Sequence, residues 1–116
     1  MDYATYQNDQ GNVYPVWATC LGYETVMYLY GNQKDNMTIL TQVYGQDGLT
    51  CPLKIITGVS DILQGLPSNV LEKATSNDGL YYFHHTWAVL ASTYYQNPGI
   101  NSFWKLVTTS FTKDKV

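Results

Sequence analysis

Apolar positions in this chain come in short runs broken by Gly, Asn, Asp and Pro clusters, and that punctuation predicts the elements. Residues 2–9 read as the end of a helix stopped by Gly11. Residues 13–19 are rich in β-branched and aromatic side chains and predict a short buried strand. Residues 21–30 are apolar nearly all round, which predicts a buried helix closed by Gly31-Asn32. Residues 38–44 and 53–57 read as strands, with the turn-rich GQDGLTCP between them. Ser60-Asp61 caps a short helical turn through Leu63, and Pro67-Ser68 starts a helix to about Ala74. Asn77-Asp78-Gly79 signals a turn. Residues 80–83 predict a strand leading into His84 and His85. Asn97-Pro98-Gly99 breaks the chain again, residues 100–104 form a helical turn, and residues 105–112 a last strand. Helices and strands alternate in both orders, which fits an α/β domain better than an all-β one.

Composition narrows the partners. The chain has 116 residues, the size of one domain or part of one. Charged residues are only 13%, with a net charge of -3 and no arginine. The six lysines stand singly, whereas phosphate backbones are held by clustered Lys and Arg. Nucleic acid is therefore excluded as an expected partner. No apolar run approaches the roughly 20 residues of a membrane span. The polar MDYATYQNDQGN has no apolar core and does not read as a secretory signal. Cys20 and Cys51 are spaced too widely for a metal hook and too few for a disulfide framework, so neither metal nor cofactor is expected. Asn36-Met37-Thr38 is a glycosylation sequon, meaningful only in a secreted or lysosomal protein.

The chemistry concentrates at YPVWATCLGYE, residues 14–24. A strand that turns sharply into a helix holds its corner residue in a tight conformation. Small neighbours let the backbone fold close to itself, and Ala18 and Gly22 flank Cys20 at minus two and plus two. The pattern is that of a nucleophile elbow with Ala in the first position. Three effects converge on the thiol. The helix N-terminus favours thiolate, the Leu21 backbone N–H is placed to hold an oxyanion, and the strand end lies where open α/β sheets bind ligands. The competing reading of Cys20 is a buried structural cysteine, since free Cys is among the most buried residue types.

The same residues resemble the nucleophile segment of the γ-glutamyl hydrolases, whose pattern is close to P-[VL]-W-G-T-C-L-G-[FY]-E. The likeness continues through residues 38–41, Pro52-Leu53, His85-Thr86-Trp87 and Leu106-Val107-Thr108-Thr109, and so covers nearly the whole chain. It implies a partial class I glutamine amidotransferase-like (flavodoxin-like) sandwich with a strand–elbow–helix core, residues 1–116 being its central portion. It implies that Cys20 is the nucleophile, attacking the γ-glutamyl amide of poly-γ-glutamate tails to form a thioester, with Leu21 N–H as one oxyanion donor. Glu24 falls on the family's Glu and orients substrate, or is simply a helix residue facing polar surroundings. His85 matches a histidine near the substrate cleft, or is a structural ring among aromatics. His84 has no motif support. A lysosomal, vacuolar or secreted compartment is implied as well.

A catalytic thiolate needs a base. The family carries its His in a Trp-His-Pro segment after the last strands, and its second oxyanion donor in a Gly-rich loop before the elbow; this sequence contains neither. The chain is therefore expected to be the middle of a larger domain with exposed strand edges. Three readings stay open: a portion of a working hydrolase, a catalytically silent relative that works by covering its apolar faces with a protein partner, or a chain in which His84 or His85 substitutes as base. A glutaminase is the fold-mate alternative; Glu24 argues against it, because amidotransferases resembling this fold carry Gln there.

Overall fold

A computed structural model describes residues 1–31, 39–43, 49–56, 60–77 and 80–111, without the Leu49 side chain. The Asn36 sequon, Asn32, Asp78-Gly79 and the outer ends of the strands expected over 38–44, 53–57 and 105–112 lie outside the described residues.

Helix α1 (Asp2–Asp9) ends at Gln10, and Gly11 follows with φ +79, a left-handed turn that glycine adopts without steric cost. Helix α2 (Leu21–Gly31) matches its expected span. Strand β1 (Thr41–Gln42) pairs with β5 (Trp87–Ala88), β2 (Leu49–Cys51) with β4 (Tyr81–Phe83), and β3 (Lys54–Ile55) with β6 (Thr108–Thr109). Among the described residues each ladder is two-stranded and antiparallel. Val43 N–H to Thr86 C=O and Ile56 N–H to Val107 C=O extend two of them beyond their strands. The mixture is α/β in content. Two elements escape the sequence pattern, β5 and helix α5 (Ala91–Gln96), because their apolar positions are too few to show a period. The stretch read as turn-rich contributes strand β2, which Tyr81, Tyr82 and Phe83 complete across the ladder.

Helix α3 (Asp61–Gln64) starts after Ser60, whose backbone carbonyl accepts from Gln64 N–H while its side chain makes no cap bond. Helix α4 (Ser68–Thr75) follows Pro67. Its carboxyl end is tied to the strands where Leu53 N–H donates to the carbonyl of the buried Ala74.

The core sits where α2 meets helix α6 (Pro98–Asn101). Met27, Ile39 and Ile100 are buried together, with Val89, Tyr94 and Trp104 packed against them. Tyr30 stacks on Phe103 at 4.2 Å and meets Trp104 edge-on at 5.7 Å. The Tyr94 hydroxyl donates to Trp104 C=O at 2.7 Å and accepts from Leu106 N–H at 3.1 Å, which pins the segment leading to β6.

Two expectations are corrected. Residues 13–19 are irregular and exposed rather than a buried strand, with Val13 90% and Trp17 82% accessible. A strand is stabilised by a ladder, and among the described residues no strand lies beside this segment. Helix α2 is not buried all round: one stripe, Val26, Met27 and Gly31, is covered, while Leu21, Tyr28 and Leu29 are exposed. The accessible surface is 8155 Å², against about 6,400 Å² for a compact monomer of this mass. Large apolar side chains such as Val13, Trp17, Leu21 and Ile62 are among those left exposed.

Candidate active site

Cys20 stands between the irregular segment 13–19 and α2, and its backbone has φ +57. Among the described residues no other non-glycine residue has a positive φ. An L-residue rarely takes this conformation, and when it does the surrounding turn imposes it. Gly22 N–H donates to Thr19 C=O at 3.0 Å and Glu24 N–H to Cys20 C=O at 3.1 Å, so the first turn of α2 closes directly over the corner. The thiol is exposed and free, which removes the reading of Cys20 as a buried structural cysteine; Cys51 is the buried one. A Cβ added at Gly22 would rest 3.9 Å from the Ala18 Cβ, an ordinary contact.

Leu21 opens α2, so its N–H belongs to the first-turn donors that a helix leaves without an intrahelical acceptor. It lies next to Cys20 in sequence, the position an oxyanion donor after a nucleophile occupies. Glu24 is half-buried, also in the first turn, where a carboxylate complements the helix dipole. That placement gives Glu24 a structural reason to be present whatever it does for a substrate. Tyr23 beside it is 39% exposed, yet burial of its ring pushes the phenol above its usual ionisation range and keeps it a neutral donor.

His85 follows β4. Its Nδ1 lies 2.9 Å from Trp87 C=O. A carbonyl only accepts, so Nδ1 carries the hydrogen and Nε2 is left as the acceptor of the neutral ring. Phe83 meets His85 edge-on at 5.6 Å, and Tyr82 stacks with His84 at 6.4 Å. Among the described residues no hydrogen bond or ring contact joins His85 to α2, and Cys20 Sγ has no hydrogen-bond partner. The structure thus brings Cys20, Leu21 and Glu24 together and leaves His85 on a separate element. Among the described residues no group of three or more His, Cys, Asp or Glu side chains converges, and no helix is long and apolar enough to cross a membrane.

One contributor to the corner is not marked by any sequence motif. Asn8, on α1, holds the backbone of Tyr14 through both of its amide atoms.

Comparison with known proteins gives this corner a context. The chain is 29% identical over 108 residues to probable γ-glutamyl hydrolase 3 of Arabidopsis thaliana, covering 93% of this chain and 30% of that protein. It is 27% identical over 114 residues to γ-glutamyl hydrolase B of Dictyostelium discoideum, covering 97% and 31%. It is 27% identical over 103 residues to γ-glutamyl hydrolase of Bos taurus, covering 87% and 30%. The chain is a relative of the γ-glutamyl hydrolases. It spans about 30% of the length of these γ-glutamyl hydrolases. No family model matches it, and no solved structure matches it. Likeness to γ-glutamyl hydrolases over nine-tenths of the chain agrees with the resemblance of the elbow and of the segments after it.

Proposed function

We propose that this chain carries the nucleophile segment of a cysteine-dependent γ-glutamyl hydrolase. The observation that carries the reading is the exposed thiol of Cys20 in a left-handed corner at the start of α2. The Cys20 thiolate adds to the γ-carbonyl carbon of a γ-glutamyl amide, and the carbonyl electron pair moves onto oxygen. Leu21 N–H donates to that oxyanion. Collapse expels the amine, which takes up a proton, and leaves a thioester on Sγ; water then releases the γ-carboxylate and restores the thiol. The base that deprotonates the thiol and then water is outside the described contacts of Cys20. The substrates are poly-γ-glutamate chains such as those on folates. Glu24 and His85 are assigned to substrate binding, with no cofactor in the reaction.

The finer parts of the reading are that residues 1–116 form the central portion of a class I glutamine amidotransferase-like (flavodoxin-like) domain, and that it works in a lysosomal, vacuolar or secreted compartment. Support for the first is the mixed helix and strand content and the left-handed corner at Cys20 that opens α2. A second reading has its own observation. The exposed apolar side chains, Val13, Trp17, Leu21 and Leu29 among them, favour a catalytically silent subunit that packs on a protein partner.

Reaction of γ-glutamyl peptides with this chain and with Cys20→Ala tests the proposal. Acylation of Cys20 in the parent, read as a mass shift on the Cys20 peptide, and none in the variant is expected; turnover requires the base that this sequence does not contain. Hydrolysis that survives Cys20→Ala overturns the nucleophile assignment. A parent that neither turns over nor acylates favours the silent subunit.

A further inference from the structure

The path into the Cys20 corner is set at one point. Residues 13–19 have no ladder, yet Tyr14 has both backbone groups occupied. Asn8 Nδ2 donates to Tyr14 C=O and Asn8 Oδ1 accepts from Tyr14 N–H, each at 2.9 Å. An antiparallel neighbour strand makes the same exchange of two bonds with one residue. A primary amide can imitate it because it offers a donor and an acceptor on one planar group. Asn8 is itself anchored, since Nδ2 also donates to Ala4 C=O at 2.8 Å within α1. The Tyr3 ring meets Tyr14 edge-on at 5.5 Å, a second tie between the same helix and the same residue. Gly11 N–H to Asn8 C=O and Asn12 N–H to Gln7 C=O fold the chain back so that the grip can form. Beyond Tyr14, the next backbone hydrogen bond among the described residues is Gly22 N–H to Thr19 C=O, which closes over Cys20.

We propose that Asn8 is a positioning residue for the nucleophile. It fixes Tyr14 as a strand neighbour would, and so sets where the segment 15–19 delivers Cys20 to the start of α2. The inference rests on the reading of Cys20 as the nucleophile. Asn8 touches neither substrate nor thiol; it acts through Tyr14 and the chain that follows.

Two variants of the full chain separate positioning from general stability. Asn8→Leu keeps the volume and removes both bonds; Asn8→Asp keeps the acceptor for Tyr14 N–H. Amide hydrogen exchange is read at Tyr14, Gly22 and Met27 by NMR, alongside kcat and KM for a γ-glutamyl peptide. In Asn8→Leu, exchange at Tyr14 and Gly22 rises at least about tenfold while Met27, in the middle of α2, is unchanged. Asn8→Asp restores protection at Tyr14 and part of it at Gly22. Where turnover is measurable, kcat falls about tenfold or more in Asn8→Leu with KM held, as misplacement of a reacting group predicts. Faster exchange at Tyr14 with Gly22 unmoved overturns the proposal, because the grip then ends at its own residue. Equal loss of protection at Met27 also overturns it, because Asn8 then supports the whole fold. The exchange result decides the positioning role even in a chain without turnover, whereas failure of the nucleophile reading is seen only in the Cys20→Ala comparison.

Discussion

The side-chain amide of Asn97 donates to the carbonyl of Gly31, 3.0 Å away and 66 residues earlier in the chain. Its Oδ1 accepts from Ile100 N–H at 3.1 Å, capping α6, and Pro98 takes the first helical position. One buried side chain, 1% exposed, thus closes the carboxyl end of α2 against the amino end of α6. Without it the Gly31 carbonyl loses this donor, while Ile100 N–H keeps only the weaker bond to the Asn97 backbone carbonyl at 3.2 Å. Asn97→Ala is expected to cost about 1–3 kcal/mol, read as a lower urea midpoint at unchanged slope. Asn97→Asp keeps the cap but faces a carboxylate to the Gly31 carbonyl, so it should cost at least as much. Parent-like stability in both variants would remove the clamp from the account.

Gly99 and Gly22 respond oppositely to a methyl group. A Cβ at Gly99 would run into the Tyr30 carbonyl oxygen, a backbone atom that cannot step aside. Gly99→Ala is therefore expected to destabilise by about 1–3 kcal/mol through separation of α2 from α6. At Gly22 the added methyl has room, and the helix gains from lower unfolded-state entropy. Gly22→Ala should be neutral or stabilising by up to about 1 kcal/mol. Thermal unfolding of the pair checks the contrast, and similar shifts in both would contradict it.

Cys20 holds a left-handed backbone that glycine adopts freely. Cys20→Gly should raise stability by up to about 1 kcal/mol after allowing for glycine's greater unfolded freedom. Cys20→Ala keeps the strain and should stay within about 0.5 kcal/mol of the parent. A stabilised but inert Cys20→Gly variant is the expected mark of strain kept for chemistry. If Cys20→Gly is less stable than Cys20→Ala, the corner is not strained.

Tyr23 makes stability fall in alkali. Burial raises its phenol above the ordinary value of about 10. Above that pH the unfolded chain has released the proton that the folded chain keeps, so the unfolded state binds fewer protons and stability drops as pH rises. Tyr23→Phe removes this term. The stability difference between variant and parent should be flat below about pH 9 and grow in favour of Phe above about pH 10. Urea midpoints at both ends of that range measure it; a difference that stays flat would mean that Tyr23 ionises alike in both states.

The corner was legible because its signal is local. Ala18, Cys20 and Gly22 announce a tight turn, and the apolar run that follows announces a helix; the structure supplies φ +57 and α2 where they were expected. Residues 13–19 misled for the same reason. β-branched and aromatic side chains favour a strand, but they cannot supply the ladder that makes one. Asn97 was read as part of a chain break, which is true of its backbone; its side chain also joins two helices.

The sequence by itself determined the spans of α1, α2, α3 and α4, the place of the thiol, and the low charge that disfavours phosphate partners, because each depends on neighbours within a few residues; it missed α5 and set α6 two residues late. Tertiary structure alone decided which stripe of α2 is covered, that Asn8 grips Tyr14, and that Asn97 closes α2 on α6. Those choices turn on atoms brought within about 3 Å from distant parts of the chain or across a turn. Periodicity records which face is apolar; only packing determines what meets it.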